Sequence, residues 1–343
     1  MKRNSFVAVV SLVAVALAIV ACGSSNSTAT GDNATAAGTS AAKKLNVVTT
    51  VAPLTNIVLN VGGDRIKLTG IIPDGVDSHT FEPSPENAKQ LAAADIFIMN
   101  GAHLEGSSEK IAQESMKDPS KIYHLADNTY SGPDDKTGFL FDFSFPRDKG
   151  DPNPHLWMDP KNAEHYADLV DGWLSQNDPA NKSYYDANTA AFKAVVEKLD
   201  GAIRTATPSV PVDQRKLLTY HDSWAYWARE YDWTVIGAIQ PSDFAEPSAQ
   251  EVAKLIDQIK QEHVPAVFGS EVYPSPVTEQ IAKETGAKYV TSLRDDEPPG
   301  VADAPEHTYV GMMIDDMRAI FSAMGGTTAP FDNFPVVNTY QKD

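Results

Sequence analysis

The chain reads as an α/β protein of two lobes with mainly parallel sheets flanked by helices, joined by one long connecting helix. Three observations lead to that class. Short β-branched runs alternate with amphipathic stretches in both halves of the chain, and a long stretch of helical period lies between the halves. Roughly 300 residues follow the N-terminal leader and tether, more than a single core usually organises.

At the start, Lys2 and Arg3 precede an apolar run from Phe6 to Val20 broken only by Ser11, the pattern of a secretory signal over residues 1–21. The run is shorter than the ~20 residues that span a bilayer, and no second long apolar stretch follows, so the mature chain reads as soluble. The leader ends in Ile19-Val20-Ala21-Cys22, which resembles the bacterial lipobox, in which the cysteine is lipidated and becomes the new N-terminus. Cys22 is the only cysteine, which excludes an internal disulfide. Residues 22–42 then form a lipidated tether, dominated by Gly, Ser, Thr, Ala and Asn, that cannot bury enough apolar surface to order itself.

An N-terminal lobe over residues 43–177 follows. Leu45 to Val51 reads as a buried strand, Ala52-Pro53 opens a helix ending near Gly62-Gly63, and Ile66 to Ile72 is the next strand. Ser84-Pro85 caps a helix running to Ala94, and Asp95 to Asn100 is the third strand. From Ala126 to Pro154 the chain is dense in Gly, Pro, Asp and Phe without a period, so a long loop or short irregular hairpin is expected. Asp159-Pro160 caps a helix carrying Ala163, Tyr166, Ala167, Val170, Trp173 and Leu174. Residues 178–207 make the connecting helix, about 40 Å long, with Phe192, Val195, Val196, Leu199 and Ile203 at helical spacing. Residues 208–343 form the C-terminal lobe, with strands at Lys216–His221, Thr234–Ile239, Ala266–Glu271 and Lys288–Leu293. Ser248 and Glu251 make a capping box before Val252, Leu255, Ile256 and Ile259.

The formal charge of −18 becomes about −20 once Lys2 and Arg3 leave with the signal, which argues against a nucleic-acid partner. Of eight histidines, His79 (in DSHTFEPSP), His155 (in NPHLWMDP) and His221 (ending KLLTYH) lie just beyond strands or in Pro-rich loops. Side chains at the carboxyl ends of parallel strands converge on one crevice. A single histidine in such a place is more often a surface or core residue. Three of them with a carboxylate make the ligand field preferred by zinc and accepted by manganese or iron. The fourth donor is expected from Leu293-Arg294-Asp295-Asp296-Glu297, after the last strand. A closed set of four ligands holds an ion rather than activating water, so no enzyme is expected. No HExxH helix, nucleophile elbow or Gly-rich phosphate loop occurs, although Glu105, Glu271 or Glu297 could serve as the base of a zinc-dependent hydrolase. A metal-binding surface adhesin is the other alternative.

These blocks resemble the metal-specific solute-binding lipoproteins of ATP-binding-cassette (ABC) importers, the zinc and manganese family known as cluster A-I or cluster 9. The likeness runs from about Leu45 to Met324; NPHLWMDP is its most specific element, and HTYVGMM (His307 to Met313) resembles the family's C-terminal block. The resemblance implies metal ligation by His79, His155, His221 and Asp296. Ser78 replaces a frequent proline, Glu297 replaces a usual small residue, and a one-residue slip would select Asp295 instead. It further implies an extracytoplasmic, monomeric protein held by its lipid to the cell surface or periplasmic face. Such a protein would capture Zn2+, with Mn2+ or Fe2+ as alternatives, for an ABC permease and its ATPase. The loop from Ala126 to Pro154 lacks the histidines common in zinc members, which weakens the preference for zinc. His103, in NGAHLEG, resembles a family strand-end motif and is expected to be structural; His165 falls within a helix and His263 near a helix end, so both read as solvated, and His124 and His307 carry no signal.

Overall fold

The structure, a computed structural model, describes residues 43–130, 138–240, 245–273 and 276–342; the leader, Cys22 and the tether lie outside the described residues. The first half runs β1 (Leu45–Thr49), α1 (Ala52–Gly62), β2 (Ile66–Gly70), α2 (Pro85–Ala93), β3 (Ile96–Met99), α3 (Gly106–Ser115) and β4 (Ile122–His124). Two long helices follow, α4 (Pro160–Asn177) and α5 (Lys182–Ala206). The second half runs β5 (Lys216–Thr219), α6 (Ala225–Glu230), β6 (Thr234–Ala238), α7 (Ala249–Glu262), β7 (Ala266–Ser270), α8 (Pro276–Thr285), β8 (Lys288–Leu293) and α9 (Tyr309–Ala323). No helix among the described residues is long and apolar enough to cross a membrane.

Both sheets are wholly parallel and share one strand order, β2-β1-β3-β4 and β6-β5-β7-β8. Parallel neighbours need crossovers, which the helices supply. The alternation in the sequence therefore gives two lobes of one design, each presenting the carboxyl ends of its strands on a single edge. Local signals hold where they are strongest: Ser84 and Ser248 make reciprocal caps with Asn87 and Glu251, and Asp159 accepts from the Lys161 amide at the start of α4. β4 was not expected, because Ile122-Tyr123-His124 is too short to carry a period.

α5 spans about 37 Å at 1.5 Å per residue. Its buried face, including Tyr185, Phe192, Val196, Leu199 and Ile203, packs on α4 and α1, while α9 packs on α5, α1 and β8. One continuous apolar cluster runs from Val47 and Ile98 through Trp157, Phe192, Trp224 and Trp227 to Phe268 and Met317. A smaller one, with Leu218, Ile256 and Val267, backs the second sheet. The two lobes thus share a core. Re-exposing each large side chain would cost roughly 1.5–3 kcal/mol, which opposes wide separation of the sheets.

The C-terminal segment adds a clasp. Asn56 and Asn60 lie one turn apart on the buried face of α1, 7% and 2% exposed. Asn338 Oδ1 accepts from both side-chain amides at 2.9 Å, the Thr339 amide donates to Asn60 Oδ1 at 2.7 Å, and Gln341 donates its amide to Asn188 on α5. Asn56 Oδ1 in turn accepts from the Tyr309 amide opening α9. Asn338→Ala leaves the Asn56 amide without this acceptor, and a loss of about 1–3 kcal/mol in urea unfolding is expected; an unchanged midpoint would show the clasp to be idle.

Beyond β3 the chain turns on Glu105, 3% exposed, which accepts from the Thr50 hydroxyl (2.6 Å) and the amides of Asn100 (3.0 Å) and Gly101 (3.2 Å). Burial outweighs these donors and pushes its carboxyl up from 4.5 to about 7. Folding therefore favours the protonated form, a contribution complete below about 4.5 and lost as pH rises towards 7, on the order of 3 kcal/mol. The stability advantage of wild type over Glu105→Gln should accordingly shrink between pH 5 and pH 8 in denaturant titrations, whereas a constant difference would refute the shift.

Candidate metal centre

Three loops from the strand-end edges of the two sheets bring His79, His155 and His221 together. His79 follows a turn in which Asp77 Oδ1 accepts from the amide and hydroxyl of Thr80, at 2.7 and 2.8 Å. His155 is fully buried. Asn100, at the end of β3, donates to Pro154 O (2.8 Å) and accepts from Tyr166, fixing the loop that carries it. His221 ends the turn after β5. The His79 and His155 Nε2 atoms are 3.1 Å apart, those of His155 and His221 3.0 Å, and the three ligand atoms lie within 4.8 Å of one another.

The tautomers are set from behind. Asn153 Oδ1 lies 2.8 Å from His155 Nδ1, and the orientation of that amide is fixed because its Nδ2 donates to Asp142 and to Asp222 O. Gln240 Oε1 lies 2.7 Å from His221 Nδ1. Oxygen acceptors require the proton on Nδ1, which leaves each Nε2 with a lone pair facing the other rings. Burial, and then the neighbouring rings, hold His79 and His155 well below the ordinary imidazole value, so the rings stay neutral. Phe145 stacks over His79 (centroids 5.8 Å apart) and meets His155 edge-on.

The acidic loop after β8 is suspended from Glu271. Its Oε1 accepts the amides of Asp295, Asp296 and Glu297 at 2.8, 3.0 and 3.2 Å. Asp296 bridges the lobes: Oδ2 accepts from the Ser78 amide at 3.0 Å and Oδ1 from its hydroxyl at 3.1 Å. Asp295 Oδ2 is buried, accepts no hydrogen bond and lies 3.8 Å from His221 Nε2. Burial, then nearby carboxylates, push Asp295 and Asp296 well above the usual range. Both aspartates stand outside the mutually close set of three nitrogens.

Glu105 and Glu271 each accept backbone amides and so hold the turns around the site. His124 contacts Glu109, His165 lies on α4 beside Asn128 O, His263 forms the left-handed cap of α7, and His307 lies 3.8 Å from Asp74. Asn153 stood inside a quoted motif without being singled out, and Ser78 was noted only as replacing a frequent proline. Gln240, directly after β6, carried no signal of its own.

Residues 47–323 match the family described as zinc-uptake complex component A, periplasmic. Among curated relatives, the metal ABC transporter substrate-binding lipoprotein SloC of Streptococcus mutans is 27% identical over 274 residues, 79% of this chain and 87% of the relative. The iron-binding protein YfeA of Yersinia pestis is 29% identical over 292 residues, 83% and 88%. Among solved structures, the periplasmic zinc-binding protein TroA from Treponema pallidum aligns with a TM-score of 0.73 at 25% identity, covering 82% of this chain and 99% of its own. With the match spanning both sheets and all three histidine loops, the chain belongs to the zinc-uptake complex component A family.

Proposed function

We propose that this chain captures one divalent transition-metal ion outside the cytoplasm, zinc before manganese or ferrous iron, and delivers it to the permease and ATPase of an ABC importer. Lipidation at Cys22 would keep it at the membrane. The observation that carries the reading is the convergence of three imidazole nitrogens. Ligands on a tetrahedral ion with bonds of about 2.0 Å lie roughly 3.3 Å apart, close to the 3.0–3.1 Å found between ring nitrogens. His155, fully buried between the other two rings, is the central ligand. His155→Ala should weaken zinc binding about a hundredfold or more in calorimetry. Wild-type affinity in that variant would overturn the assignment.

Of the two candidate carboxylates, the resemblance selects Asp296, but the contacts favour Asp295 as fourth donor. Both oxygens of Asp296 are engaged by Ser78, whereas Asp295 Oδ2 is unpartnered and nearest His221. Completing the set requires the loop to settle inward on the ion. Asp295→Asn is expected to cost more zinc affinity than Asp296→Asn; the reverse order would transfer the fourth ligand to Asp296.

A further inference from the structure

Beside the triad lies a cavity of about 420 Å³ whose lining joins the half-buried His79 and the buried Leu104, Phe145 and Pro154 to the exposed His103 and Asp151. His103 Nε2 and Asp151 Oδ1 are 3.6 Å apart, longer than a hydrogen bond and close to the spacing of two donors on one hydrated divalent ion. The turn that presents His103 is unfavourable by itself. Gly101, Ala102 and His103 have φ of 80°, 51° and 65°, three left-handed residues in a row of which only the first is glycine. The turn persists because Glu105 accepts the Asn100 and Gly101 amides and Asp127 accepts that of Ala102 at 3.2 Å. A Cβ at Gly101 would come within 2.1 Å of Asp127. Backbone held against its preference marks a position kept for what it presents, and here that is an imidazole at the mouth of a passage to His79.

Resting on the transport reading above, the geometry points to His103 and Asp151 as a low-affinity loading site, where the divalent ion pauses, still largely hydrated, before passing Phe145 to His79. Lys149, also in the lining, opposes retention of a cation there, so the pair passes the ion inward and does not store it. The pair therefore governs the rate of loading and leaves the final affinity to the buried ligands.

Stopped-flow mixing of metal-free full-length protein with zinc tests this. His103→Gly suits the left-handed φ, so its thermal midpoint should hold or rise, while zinc association slows by about three- to tenfold, as for loss of local steering. Asp151→Asn should slow it similarly, with dissociation into a chelator unchanged in both. Asp148→Asn, an exposed neighbour outside the lining, removes the same charge and should leave the rate alone. Wild-type association in His103→Gly, or equal slowing by Asp148→Asn, overturns the proposal. His155→Ala run in parallel separates the readings: if it abolishes tight binding while His103→Gly loads normally, the triad stands and the loading site falls.

Discussion

Three imidazole rings meet with the His155 Nε2 atom about 3 Å from those of His79 and His221, while the rings of His155 and His221 are tied at Nδ1 by oxygen acceptors. Such a cluster is repulsive when empty. It can relax by protonation, which burial opposes at His79 and His155, by rotating the rings, which Asn153 and Gln240 oppose at His155 and His221, or by taking up a cation. The surrounding structure resists the first two routes and favours the third. Much of the polar architecture around the site serves this constraint: Asn100 and Tyr166 hold the Pro154 carbonyl, Asp142 and Asp222 hold the Asn153 amide, and Asp77 holds the His79 turn.

The site draws on loops from both sheets, so its geometry depends on how firmly the sheets are joined. A hinge between independent lobes would let the rings drift apart. Here an apolar core continuous from β1 to α9, the long α5 and the C-terminal clasp on Asn56 and Asn60 resist that drift. The same Asn56 fixes the first amide of α9, and Tyr309 at that point donates to Trp157 O at 2.8 Å, two residues beyond His155. Strap, helix and ligand loop therefore form one hydrogen-bonded path.

What could be read from the sequence follows how local each signal is. Alternating strands and helices, the caps at Ser84, Asp159 and Ser248 and the 3.6-residue period of α5 are written in neighbouring residues and recur in the structure. The convergence of the three histidines was legible because strand ends in parallel sheets share an edge. Gln240 behind His221, Glu271 under the acidic loop and Asn338 on α1 were not legible, since each is a polar side chain whose meaning comes from a partner brought near by tertiary packing. Asp295 and Asp296 illustrate the limit: adjacent and chemically identical, they are separated by tertiary contacts, Ser78 reaching Asp296 and His221 lying beside Asp295.

That difference bears on release. Wide opening of the lobes would expose shared core, so the ion is more economically freed by moving one small element. The acidic loop fits, because it is held by a few identifiable contacts: three amides on one carboxylate oxygen of Glu271, the Trp157 indole on Asp295 O, and Ser78 on Asp296 across the cleft. Asp295 and Asp296 are buried beside each other and beside Glu271, a crowding of carboxylates that a divalent ion would relieve. On the proposed ligand set, binding would draw the loop inward against the imidazoles, and a partner that unlatched Asp296 from Ser78 would free the loop and withdraw a carboxylate while the histidines kept their places. The framework can be rigid and the cargo still exchangeable, since the donor that moves is carried on a loop and the donors that stay are locked from behind.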